Sequence, residues 1–309
     1  MMKEIIPPVE RQLLLTELNH DTFVRKTNNG NNEIYIISNK NAPNVLREIG
    51  RTRELTFRAA RGGTGKEIDL DEFDLNNQPY QQLIVWNPTD LEIVGGYRYI
   101  FGRDAIDENG KINLATTELF HFSTTFISDF LPFTIELGRS YVQPKYQPSL
   151  ENRKGLFSLD NLWDGLGALI VDNPEMQYFY GKVTMYSDYN ERARDLLLGF
   201  MKHYFPDQLQ LVWPIHPIEI KHDISSFLDQ IKSLDYKEGY KVLNQQIRSL
   251  GENIPPLVNS YMNLSPTMKT FGTAINGHFG QVEETGILVR INDIYPQKKE
   301  RHINSYLKH

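Results

Sequence analysis

Glu136 and Arg139 are the residues on which chemistry can be built. They stand three apart in Thr134–Val142, a stretch that alternates apolar and polar residues and predicts a strand. On a regular strand two residues three apart point to opposite faces, so a bulge at Gly138 is needed to bring both to one side. There a carboxylate can take a proton, directly or through one water, from an amine that must be neutral before it attacks a thioester. The plain alternative is a surface Glu–Arg pair worth about 0.5 kcal/mol. Beyond the strand come Arg153 and Lys154 in a Pro-marked loop, a helix over 158–171 stopped by Asn173 and Pro174, and a second strand over 177–185. A helix N-terminus with two cations beside it suits the phosphate of a phosphate-bearing carrier.

The elements that must position these residues can be followed from the N-terminus. Residues 33–39 predict a short strand, and 44–60 a helix carrying Arg47, Arg51, Arg53, Arg58 and Arg61, which by itself reads as a solvated basic face. Gly62-Gly63-Thr64-Gly65-Lys66 imitates a phosphate loop. It lacks the first glycine, the hydroxyl residue after the lysine and a preceding strand, and reads as a flexible loop. The acidic run 67–74 is a solvated turn or a set of carboxylates facing the arginines upstream or a cationic amine of a substrate, with calcium a weaker option. Residues 83–86 and 93–101 predict a hairpin around Asn87-Pro88-Thr89-Asp90. Gly95-Gly96 within it signals a bulge or a close backbone approach.

Phe120, Phe122, Phe126, Phe130 and Phe133 form an aromatic segment that reads first as core. An amphipathic helix follows Tyr186, with Asp188 and Glu191 spaced as a capping box and Pro206 as its stop. A strand over 208–214, helices over 224–234 and 237–250, and strand-like text over 267–294 complete the series. The run Lys298–His302 reads as an exposed basic tail.

Bulk composition removes several classes of function. A chain of 309 residues can bury a large core, and a formal charge of -6 argues against nucleic acid as a partner. With no cysteine, disulfides, thiolate catalysis and cysteine-based metal sites are excluded, and no metal is expected. No window is apolar enough to span a membrane and no signal core opens the sequence. The expectation is a cytoplasmic protein, with peripheral contact to a membrane surface left open.

The sequence resembles the acyl-carrier-protein-dependent ornithine and glycine N-acyltransferases, often labelled hemolysin-like, of the Gcn5-related N-acyltransferase superfamily. It is similar, more distantly, to the acyl-homoserine-lactone synthases. The resemblance rests on Arg53-x-x-x-Phe57, Asp69-x-Asp71-x-x-Asp74, Gly95-Gly96-Tyr97-Arg98, Glu136-Leu137-Gly138-Arg139-Ser140 and Leu162-Trp163, in that order over about residues 45–205. It implies an α/β (α+β) fold whose mixed, mostly antiparallel central sheet is splayed between two strands and flanked by helices. The expected divisions are a lead-in over 1–32, an acyltransferase core over 33–214 and a C-terminal α/β extension over 215–309.

By that resemblance, Glu136 and Arg139 are catalytic. Arg53, Phe57, Asp69, Asp71, Asp74 and Arg98 form the acceptor side as an ionic cluster, with Arg98 or Arg139 able to clamp a carboxylate. Val142, Arg153 and Lys154 meet the pantetheine arm, and Phe126 and Phe130 wall the acyl chain. No cofactor is expected to be tightly bound. The co-substrate is acyl carrier protein thioester or acyl-CoA, the acceptor an amino acid, and the product an aminolipid precursor in lipid metabolism. The superfamily's pyrophosphate loop is absent between Tyr141 and Ser158, which favours acyl carrier protein as partner. The other readings are a lactone-synthase-like enzyme and a non-catalytic carrier- or lipid-binding protein.

Overall fold

The computed structural model describes residues 2–107, 109–147, 155 and 157–306. The first elements are α1 (Arg11–Glu17), β1 (Phe23–Lys26), β2 (Glu33–Ile37), α2 (Pro43–Ala59), α3 (Glu72–Leu75), β3 (Gln81–Asn87) and β4 (Glu92–Phe101). The middle of the chain forms β5 (Phe120–Phe122), β6 (Thr134–Val142), α4 (Ser158–Asp172), β7 (Tyr178–Met185), α5 (Glu191–Tyr204) and β8 (Val212–Pro214). Then come α6 (Ser225–Ile231), α7 (Tyr236–Ser249), α8 (Pro256–Met262), β9 (Lys269–Asn276), β10 (Val282–Arg290) and α9 (Pro296–His302). These elements sort into two compact units, one of residues 1–115, 133–177 and 295–309, the other of 116–132 and 178–294.

The first unit carries an antiparallel sheet in the order β1-β2-β3-β4-β6. Alternation along β3 assigns its two faces. Gln82 turns to Arg53 of α2, and Leu83 packs against Gly165 of α4, where an added Cβ would meet its methyl groups at 2.6 Å. Helices therefore cover both sides of this sheet. The β3–β4 turn is closed by the Asn87 side chain, which accepts from the amides of Thr89 and Asp90 at 2.9 and 2.8 Å. Pro43 opens α2 at a position where its missing N–H costs nothing.

Two expectations for this unit fail. The 62–66 loop is tethered: the Glu54 carboxylate accepts from Thr64 N at 3.0 Å, Thr64 Oγ1 at 2.8 Å and Gly65 N at 2.8 Å. The amides that imitate a phosphate cradle already hold an anion of the chain itself. The basic run at 298–302 is helical, within α9, with Glu300 and Arg301 exposed, but its last residue, His302, is buried and its Nδ1 lies 2.8 Å from Asp164 Oδ1 on α4. Gly167 of α4 has no side chain because the His302 carbonyl occupies that space.

The second unit pairs β7, β10 and β9 antiparallel, with β10 central. β5 and β8 form a separate two-stranded ribbon, so the strand expected over 208–214 shrinks to three residues. Leu196, Leu197, Phe200 and Met201 bury one face of α5. The cap of α5 is Asn190, which accepts from Arg192 N at 3.0 Å and Ala193 N at 3.1 Å, and not the expected Asp188–Glu191 box. Asn190 stands next to the first helical residue, where its short side chain reaches both amides.

Candidate active site

Three arginines and four carboxylates converge in the first unit, and local structure fixes each of them. α3 is capped by Asp71, which accepts from Phe73 N at 3.1 Å, while Asp74 accepts from Asp71 N at 3.2 Å. This reciprocal capping box holds both carboxylates rigid. Arg53, fully buried on α2, donates to Asp74 at 3.2 Å and to the side-chain oxygen of Gln82. Gln82 donates in turn to Asp74 at 3.0 Å. Arg98 on β4 donates to Asp71 at 2.7 Å and to Asp74 at 3.2 Å. Arg139 reaches Asp69 at 2.9 Å and Asp71 at 3.6 Å.

The bulge expected at Gly138 lies one residue further on. Gly96 pairs with Tyr141 and Arg98 with Gly138, so Tyr97 faces both Arg139 and Ser140. Arg139 itself takes the left-handed conformation, with φ of 48°. Gly138 stays in register opposite Arg98, whose Nε would lie in ordinary contact, at 3.4 Å, with an added Cβ. The extra residue turns Arg139 into the cluster that Arg98 shares with Glu136. Gly95 and Gly96 serve a close approach: a Cβ on Gly95 would strike the Tyr141 carbonyl, and one on Gly96 the Leu83 carbonyl at 2.7 Å.

Glu136 is buried, with 1% of its surface exposed, and its carboxylate accepts a hydrogen bond from the Tyr80 hydroxyl. Tyr80 precedes β3 and is also buried. Its oxygen accepts from the Ala115 amide at 2.8 Å, and the Arg98 guanidinium sits 5.2 Å from its ring centroid.

Burial and the neighbouring Glu136 charge push the Tyr80 phenol well above its ordinary range, so it stays a proton donor. Burial would raise Asp74, but Arg53 and Arg98 outweigh it and hold that carboxyl well below the usual range. Burial likewise works against the charge on Arg98, yet Asp74 and Asp71 raise its pKa. The three aspartates of the 69–74 segment all face arginines, which removes the calcium reading. Among the described residues no group of His, Cys, Asp and Glu is arranged to hold a metal ion.

The structure thus brings together Arg53, Asp69, Asp71, Asp74, Arg98, Glu136 and Arg139. The arginine run expected as a solvated face is so only in part: Arg47 and Arg61 are exposed, whereas Arg53 is fully buried and Arg51 and Arg58 are ion-paired to Glu48 and Glu54. Phe57 is buried edge-on to Tyr141, at 6.2 Å between centroids. Val142 ends β6 opposite Gly95. Arg153 and Lys154 lie outside the described residues. Phe126 and Phe130 belong to the second unit, stacked at 6.2 Å and 5° within a π-helical turn, with Tyr180 and Tyr178 against them.

Tyr80 and Gln82 escaped the sequence reading. Gln82 carried a signal, a polar residue in step with Ile84 and Trp86 on one face of an apolar strand. Tyr80 carried none, because its role depends on Glu136, 56 residues away.

Residues 52–151, which contain the whole ionic cluster, match the family described as "Acetyltransferase (GNAT) domain". A "Glycine N(alpha)-acyltransferase" of Bacteroides thetaiotaomicron is 54% identical over 308 residues, 99% of this chain and 91% of its own length. One of the same description from Phocaeicola vulgatus is 52% identical over 309 residues, 99% of this chain and 94% of its own. The chain belongs to this family of acyltransferases. Among solved structures, a CoA-dependent acyl-homoserine lactone synthase, BjaI, with MTA, is 12% identical over 86% of the acyltransferase and 85% of its own chain, at a TM-score of 0.36. No helix among the described residues of the acyltransferase is long and apolar enough to cross a membrane.

Proposed function

We propose that this acyltransferase moves a long fatty acyl group from acyl carrier protein to the amine of glycine, an early step towards N-acyl amino acids and aminolipids. The observation that carries the reading is a buried Glu136 carboxylate held by Tyr80 beside a bulged strand that turns Arg139 into the same charged cluster. The two relatives above 50% identity, both described as acting on glycine, supply the acceptor.

Glycine enters as the ammonium form. Glu136 takes one proton from it, directly or through a water, and the neutral amine attacks the thioester carbonyl. The new C–N bond forms as the carbonyl electrons move to oxygen. The tetrahedral intermediate then expels the pantetheine thiolate, which takes the second proton from the adduct nitrogen to leave as the thiol, while Glu136 gives up the first to solvent. Arg139 is the most exposed guanidinium of the cluster, with 13% of its side chain accessible against 3% for Arg98 and none for Arg53. It is the donor best suited to the glycine carboxylate, for which a planar bidentate group fits. Asp69, Asp71, Asp74, Arg53 and Arg98 order that donor.

A donor carried on a protein follows from the missing pyrophosphate loop between Tyr141 and Ser158. Arg153 and Lys154 would meet the carrier's phosphate.

The test uses pure protein with acyl carrier thioester or acyl-CoA, a panel of amino acids and S-adenosylmethionine, and identifies products by mass. N-acylglycine should dominate with the carrier-bound donor, and Glu136→Gln should lower its rate by about 100-fold or more. Full activity in Glu136→Gln, or acylation only of S-adenosylmethionine, would overturn the reading.

A further inference from the structure

Tyr80 is fixed more completely than packing alone requires. Its backbone N–H donates to the Phe73 carbonyl at 2.8 Å, and its own carbonyl accepts from Gln82 Nε2 at 3.1 Å. The ring meets Phe73 edge-on at 5.6 Å and lies under the Arg98 guanidinium. Its oxygen accepts from the Ala115 amide, and its O–H donates to Glu136. A phenol has one proton to give. With the Ala115 N–H directed at its oxygen, that proton has a single direction left, towards the carboxylate. A phenylalanine would fill the same space, so the hydroxyl serves Glu136 and the Ala115 amide rather than the core.

We infer that Tyr80 is the positioning residue of the acyl transfer: its hydroxyl, oriented by the backbone of Ala115, holds the Glu136 carboxylate in one rotamer and sets its basicity. The inference rests on the role of Glu136 proposed above. A carboxylate that accepts a hydrogen bond is stabilised in its charged form, so losing the phenol makes Glu136 a stronger but less well-placed base. The charged groups next to the Tyr80–Glu136 pair include Arg98, 5.2 Å from the Tyr80 ring centroid, and, through it, Asp71 and Asp74, with Arg53 and Arg139 ion-paired to the same carboxylates. All of these remain in a Tyr80 variant.

The experiment measures the pH dependence of kcat/KM for glycine in the wild type, Tyr80→Phe, and an enzyme carrying 3,5-difluorotyrosine at position 80. The fluorinated ring keeps the shape of tyrosine and is a stronger donor, so it stays informative should Tyr80→Phe fold poorly. Tyr80→Phe should lose about tenfold in kcat with little change in either KM, and its acid limb should move up by about one pH unit. The difluoro enzyme should move that limb down.

An acid limb at the wild-type position in both variants, with only thermal stability reduced, would make Tyr80 a core residue and end the inference. Glu136→Gln separates the two ideas. Should that variant be inactive while both Tyr80 variants match the wild type, only the positioning role falls. Should it keep full activity, the proposed base falls, and Tyr80's role with it.

Discussion

Asp74 is the residue on which the charged cluster turns, since it accepts from Arg53, Arg98 and Gln82 while it closes the α3 capping box. Removing its charge would leave two buried guanidinium groups without their shared counter-charge. Asp74→Asn should therefore cost about 3–5 kcal/mol of stability, read from urea denaturation. The sign of its pH dependence follows from its depressed pKa. A carboxyl held lower in the folded than in the unfolded chain contributes fully above the unfolded value, about 3.9, and loses that contribution as the pH falls through its folded value. Stability of the wild type should drop more steeply below about pH 4 than that of Asp74→Asn. Much of this cluster was legible, because Asp69, Asp71, Asp74, Arg53 and Arg98 could be paired by charge alone. The hydroxyl of Tyr80 was not, as no spacing rule links a residue before β3 to one in the middle of β6.

At the scale of elements, the approach of β4 to β6 decides whether the bulge can form. Gly95 lies so near the Tyr141 carbonyl that any side chain must push the strands apart. Gly95→Ala should destabilise by about 1–3 kcal/mol, measured by thermal melting, and should lower acyl transfer through displacement of Arg98 and Arg139. Strand and helix limits here were readable, since the alternation over 134–142 matches β6 at both ends. The position of the bulge was not. Gly138 looked like the residue that bends, because glycine reaches positive φ without penalty. In the fold that freedom goes unused: Gly138 keeps the strand register opposite Arg98, and Arg139 takes the bend at a cost of about 1–2 kcal/mol. The cap of α5 was misplaced for a similar reason, since the text at Asp188–Glu191 fits a motif whose geometry the chain realises at Asp71–Asp74.

At the scale of the molecule, the first unit is assembled from three separated stretches, and its last piece is α9. His302, locked onto Asp164, is the pin: Asp164 also accepts from the Asn28 backbone and side chain at 2.9 and 2.7 Å. His302→Ala should cost about 1–3 kcal/mol by urea unfolding and speed protease cleavage within 295–306. Nothing in the basic run 298–302 announced this burial, because it is set by a partner 138 residues earlier in the chain.

That arrangement has a consequence during biosynthesis. A ribosome releases α4 long before it releases α9, and the whole of 178–294 must be made in between. At ~5–20 residues per second the nascent protein spends on the order of ten seconds with the Gly167 notch of α4 unfilled. Over that interval the second stretch is free to fold while the unit that bears Glu136 waits for its closing helix.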